Sequence, residues 1–169
     1  LYRVLNRGSE PMPYAIGGHP AFNVPLDEGE RFEDYVLEFE KEETASCPAI
    51  DMNESLIDPS RMTERLHAAR TIPLTHDLFY GDALVFEGLA SHTATVRSEK
   101  SGHGVTMEFS SFPMIGVWSA RNDGPFVALE PWCGCATRTD ENDEFAKKRW
   151  MRTLPAGQME EFSYTVSIF

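Results

Sequence analysis

Glu161-Phe162-Ser163-Tyr164-Thr165-Val166-Ser167-Ile168-Phe169 closes the chain and carries its cleanest pattern. Phe162, Tyr164, Val166 and Ile168 fall on one face of an extended segment, and Glu161, Ser163, Thr165 and Ser167 on the other. That period of two predicts a β-strand over these nine residues. Outward from it, the same chemistry recurs. Residues 1–6 alternate up to an Arg7-Gly8-Ser9 turn, and residues 35–39, 83–86 and 93–96 are short runs of branched and aromatic side chains. Ser101-Gly102-His103-Gly104 reads as a hairpin turn into a strand over 105–109. Met114 to Trp118 and residues 126–129 are apolar runs bounded by Pro and Gly, the mark of strands buried on both faces.

Two segments read as helical. Residues 60–69 have Ser60 as a cap, and residues 140–150 run from acidic residues to Lys147, Lys148 and Arg149, in the sense the helix dipole favours. Short strands broken by frequent turns predict an all-β sandwich or barrel in a single domain.

Composition narrows the partners. The chain has 169 residues, and 15 Lys and Arg against 27 Asp and Glu leave a net charge of −12. Such a surface repels phosphate backbones and anionic lipid, so nucleic acid and membrane surfaces are excluded as partners. Cys47, Cys133 and Cys135 are too few for a disulfide framework, and Cys133-Gly134-Cys135 has no second pair to complete a zinc site. The cysteines read as small apolar side chains in a reducing, cytoplasmic setting.

Two stretches carry chemistry. In Ile16-Gly17-Gly18-His19-Pro20, the glycines permit close backbone approach, and the proline holds His19 extended. In Ala128-Leu129-Glu130-Pro131-Trp132, a carboxylate ends an apolar run and again precedes a proline, with an indole beside it that offers an apolar wall or a stacking face. A carboxylate so placed must be paired, neutral or functional. Two readings stay open for each residue: a loop-capping Glu130 and a core His19, or an acid–base pair facing one cleft.

Gly17-Gly18-His19-Pro20-Ala21-Phe22-Asn23, Asp82-Ala83-Leu84-Val85-Phe86 and Leu129-Glu130-Pro131-Trp132-Cys133-Gly134 occur in that order. Together they resemble the aldose 1-epimerase (galactose mutarotase) family, in its bacterial branch with the GGHPAFN signature. The resemblance covers residues 1–169, down to the Leu154-Pro155-Ala156-Gly157 turn, and matches the C-terminal half or somewhat more of the family domain. It implies a β-supersandwich and interconversion of the α and β anomers of a free hexose. His19 then corresponds to the general acid at the ring oxygen, and Glu130 to the general base at the C1 hydroxyl. Asp82, Trp118, Asn23 and Trp132 correspond to substrate-binding positions. The chemistry needs no cofactor and no metal.

Three other readings compete. A hexose-phosphate mutarotase of the same fold would need arginines at the pocket, for which Arg97, Arg121 and Arg138 are the candidates. A glycosidase would use Asp82 and Glu130 as its two carboxylates. A non-catalytic carbohydrate-binding sandwich would need no proton donor facing a base. The resemblance also implies a partner: an N-terminal segment of the same protein, carrying further sugar contacts. Without it, the apolar runs at 114–118 and 126–129 are expected to lie exposed, making residues 1–169 insoluble alone or stable only when paired with a partner.

Overall fold

The computed structural model describes residues 1–169 and is built from antiparallel strands. In chain order these are β1 (Tyr2–Leu5), β2 (Met12–Tyr14), β3 (Ile16–Gly17), β4 (Ala21–Asn23), β5 (Tyr35–Asp51), β6 (Leu56–Pro73) and β7 (Leu84–Glu87). They continue with β8 (Thr93–Ser98), β9 (Gly104–Glu108), β10 (Met114–Trp118), β11 (Phe126–Cys133), β12 (Arg152–Leu154), β13 (Met159–Phe162) and β14 (Thr165–Ile168). One five-stranded sheet runs β14-β9-β8-β5-β6; the other runs β3-β11-β10-β7, with β4 also on β11. Two small sheets, β1-β13 and β12-β2, flank them. No helix is long and apolar enough to cross a membrane.

The core lies between the two large sheets, and alternation decides who enters it. Leu37, Phe39, Val96, Val105 and Met107 from one sheet meet Leu84, Phe86, Ile115, Val117, Val127 and Leu129 from the other. Each large side chain so buried contributes about 1.5–3 kcal/mol. The opposite face of the β10/β11 sheet carries Met114, Gly116, Trp118, Ala128, Glu130 and Trp132, and this face bears the cleft.

The predicted sandwich is present, but several details differ. Residues 60–69 are not helical: they belong to β6, which pairs with β5. Irregularities between Glu38 and Ala49 interrupt that register, so charged residues recur at a spacing that mimics a helix face. Residues 140–150 form only a 3₁₀ turn at Phe145–Lys147. Phe145 is 52% exposed there, so the segment has no apolar stripe to bury, and a favourable charge gradient alone does not hold a helix. The closing nine residues split at Ser163-Tyr164: Phe162 ends β13 against β1, while Val166 and Ile168 pair with β9 in another sheet.

The apolar runs are covered, contrary to expectation. Met114, Ile115, Val117, Val127, Ala128 and Leu129 are each at most 1% exposed. On the cleft face, Ala83, Val85 and Met114 pack with Ile50 from the end of β5 and with Cys135. Ile57 also exchanges backbone hydrogen bonds with Thr137 and Thr139. The tip of the long β5–β6 hairpin thus folds over strands that would otherwise face water.

Candidate functional site

The site begins with strand register. Gly17 stands opposite Trp132 and Ala21 opposite Ala128, which places His19 directly opposite Glu130. Gly18 N–H donates to the Pro131 carbonyl (3.0 Å), and Leu129 N–H donates to the Pro20 carbonyl (3.1 Å). Pro20 and Pro131 cannot return those bonds, so each flanking pair keeps one of its usual two. His19 and Glu130 form the non-hydrogen-bonded pair between them, the kind in which facing side chains approach most closely.

Their side chains meet. His19 Nδ1 lies 3.4 Å from Glu130 Oε1, with the imidazole 60% exposed and the carboxylate 7% exposed. Burial pushes the Glu130 carboxyl above its ordinary range. The charge of His19 and the Trp132 indole oppose that shift, and the nearby Asp82 charge adds to it. A solvent-facing imidazole therefore touches a desolvated, more basic carboxylate.

Trp118 stands edge-on to His19, ring centroids 5.7 Å apart, and packs on Phe126. Trp132 lies across Gly116, where an added Cβ would stand 2.7 Å from the indole carbons, and against Gly17, where it would stand 2.8 Å from Cδ1. Both glycines are needed for the ring to lie flat beside Glu130. His19, Glu130, Gly116 and Val85 form one line across the sheet, since Gly116 pairs with Glu130 on one side and Val85 on the other.

The Trp132 indole divides the cleft into two lobes. The larger, about 570 Å³, is lined by His19, Glu130, Trp132, Gly17, Gly18 and Cys135 among others. The smaller, about 210 Å³, is lined by Ile50, Ile57, Asp82, Ala83, Val85 and Trp132 among others. Asp82 enters it from a backbone at φ +84°, and its Oδ1 accepts the Ala83 N–H (2.7 Å).

The structure thus brings His19, Glu130, Trp118 and Trp132 together, with Asp82 across the indole. Asn23 does not join them: it is exposed, stands opposite Phe126 four residues along β11 from Glu130, and lines neither lobe. Arg97 pairs with Glu38 (2.7 Å) and Arg138 with Asp140 (2.9 Å), and no Lys or Arg lines either lobe. The cysteines are unpaired, and burial raises the Cys47 thiol to about 12 and the Cys135 thiol to about 11. Sequence reasoning missed the hairpin-tip residues Ile50, Met52, Ser55 and Ile57, which carry no motif and reach the cleft only through the hairpin's length and curvature.

Comparison with known proteins bears on the fold. No family model matches the chain. The structure superposes on the galactose mutarotase related enzyme of Lactobacillus acidophilus with a TM-score of 0.89 and 27% identity, covering 99% of this chain and 55% of that one. The fold is the galactose mutarotase-like β-sandwich. A galactose mutarotase-like protein from Lactobacillus casei ATCC 334 gives a TM-score of 0.85 at 30% identity, covering 99% of this chain and 57% of that one. Protein LacX of Lactococcus lactis subsp. lactis, in its plasmid and chromosomal forms, is 39% identical over 168 residues, covering 99% of this chain and 56% of LacX. The chain spans about half the length of the curated relatives it matches.

Proposed function

We infer that the cleft interconverts the α and β anomers of a free, unphosphorylated hexose by acid–base ring opening and reclosure. The contact between exposed His19 and buried Glu130 carries this reading. The ring oxygen and the C1 hydroxyl sit on the same carbon, so two side chains already in contact can serve one each.

The steps balance without redox change. Glu130 takes the proton of the C1 hydroxyl, the freed electron pair forms the C1 carbonyl, the C1–O5 bond breaks, and His19 gives a proton to O5. Rotation about C1–C2 presents the other carbonyl face; on reclosure O5 attacks C1, His19 takes back the O5 proton, and Glu130 gives its proton to the carbonyl oxygen. Each general acid or base contributes about 10²–10⁴ in rate, and desolvation makes Glu130 the stronger base. Trp118 and Trp132 offer apolar faces to the sugar's C–H surfaces, and Asp82 accepts from a hydroxyl.

An uncharged sugar fits best, because the lobes present Asp51, Asp82 and Glu130 and no Lys or Arg to hold a phosphate. A glycosidase reading is disfavoured because the Trp132 indole stands between the regions of Asp82 and Glu130. Further sugar contacts belong, in this proposal, to a segment equivalent to the part of the relatives that this chain does not span.

Polarimetry on freshly dissolved α-glucose and α-galactose tests the proposal against a non-catalytic sugar-binding module. Acceleration by the wild-type chain, reduced at least about 100-fold in His19→Gln, is expected. Binding of the sugar with no acceleration would make the chain a binding module instead.

A further inference from the structure

We propose that Tyr164 is a positioning residue for the acid–base pair: its ring, packed beneath Gly18, fixes where His19 stands against Glu130. This rests on the reading above, in which His19 protonates the ring oxygen. The segment that carries His19 is loosely held by its own backbone. Two consecutive glycines precede it, and glycine leaves the chain more conformational freedom than any other residue. Neither the N–H nor the C=O of His19 has a hydrogen-bond partner; the nearest ties are Gly18 N–H to the Pro131 carbonyl (3.0 Å) and Leu129 N–H to the Pro20 carbonyl (3.1 Å). Those two bonds lie on one edge, so by themselves they leave the segment free to swing about β11. Such a swing would carry the imidazole away from Glu130 Oε1, which stands 3.4 Å from His19 Nδ1.

Two rings supply the missing restraint. Gly17 and Gly18 face opposite sides of the sheet, as successive residues of an extended chain do. On the cleft side, a Cβ on Gly17 would stand 2.8 Å from Trp132 Cδ1. On the core side, a Cβ on Gly18 would stand 2.7 Å from Tyr164 Cε1 and 3.3 Å from its Cζ. The backbone thus lies directly on both rings, and neither glycine could carry a side chain with the rings in place. Tyr164 is itself held: it packs against the main core and against the smaller cluster around Tyr14 and Phe162, and the Tyr2 ring lies 6.1 Å from it, centroid to centroid. It owes this place to the break between β13 and β14, where the chain crosses from one sheet to another. Tyr164 lines neither lobe of the cleft, so it acts on the sugar only through the backbone of Gly18 and His19. Displacing a catalytic group by about 1 Å can cost on the order of 100-fold in rate.

Two readouts on the chain Leu1–Phe169 test the assignment. The first is the nuclear Overhauser contact between the His19 imidazole and the Trp118 indole, whose ring centroids lie 5.7 Å apart. The second is polarimetry on α-galactose, resolved into kcat and KM. Tyr164→Phe keeps the ring and should leave both readouts near wild type. Tyr164→Ala should lose the Overhauser contact and lower kcat at least about 10-fold, with KM changed less than about 3-fold. Gly18→Ala, which drives a methyl into the ring, should do the same, and it decides the matter should Tyr164→Ala not fold. In the Tyr164→Ala background, Gly18→Ala should cost nothing further. A folded Tyr164→Ala with wild-type kcat and an intact contact overturns the proposal, as does an equal loss in Tyr164→Phe, which would assign the role to the hydroxyl. Should the wild-type chain not accelerate anomerisation, the reading above falls, and the Overhauser contact alone decides whether Tyr164 positions His19.

Discussion

Glu130 is held in a setting that costs stability in order to keep a base. Burial raises its carboxyl, so the folded chain binds that proton more tightly than the unfolded chain does. Its contribution to stability is therefore full below about pH 4, the ordinary carboxylate range, and is lost as pH rises through the raised value. Glu130→Gln should accordingly melt higher than wild type at neutral pH, with the advantage fading as pH falls towards 4. Thermal melts across that range measure it, and an advantage that grew on acidification would contradict the burial argument. Asp82 is strained in another way: φ of +84° suits glycine, and a Cβ there costs roughly 1–2 kcal/mol. Asp82→Gly should thus be about 1 kcal/mol more stable than Asp82→Ala, although both lose the carboxylate from the cleft. Equal stability by denaturant titration would mean that the strain is absorbed elsewhere.

Among the elements, the β5–β6 hairpin matters most to the cleft. Its arm is pinned at Glu43, a buried carboxylate accepting Ser91 N–H (2.7 Å), Ser91 Oγ–H (2.6 Å) and Ala90 N–H (3.2 Å). Glu43→Ala leaves those donors unsatisfied and should cost about 1–3 kcal/mol. Amide exchange should quicken along β5 and β6 and at Ser91, while β10 and β11 keep their protection; uniform loss across both sheets would place the pin in global stability instead. How much of this was legible depended on how local each determinant is. β10, a continuous apolar run set by its own side chains, falls where the sequence places it. β6 did not, because its charges ride on a bulged edge strand whose period is broken by pairing with β5. The His19–Glu130 contact was suggested by two matching pre-proline settings. That they face each other follows only from antiparallel pairing along β11, which no local pattern reveals.

At the scale of the whole molecule, two five-stranded sheets enclose a core of 21 buried residues, and the hairpin tip closes the second face of the sheet that bears the cleft. That enclosure predicts one cooperative thermal transition for residues 1–169, with coincident loss of near- and far-ultraviolet circular dichroism. A gradual, non-coincident loss would indicate that the core needs a partner. The fold exists in this account to hold one exposed imidazole against one buried carboxylate. The most direct measurement of that claim is magnetisation-exchange NMR between the α and β anomers of galactose and glucose at equilibrium, in the presence of wild type and of Glu130→Gln. Faster anomer exchange is expected with wild type, cut by at least about 100-fold in a Glu130→Gln chain that remains folded. Undiminished exchange with folded Glu130→Gln, or none above the uncatalysed rate with wild type, would contradict it.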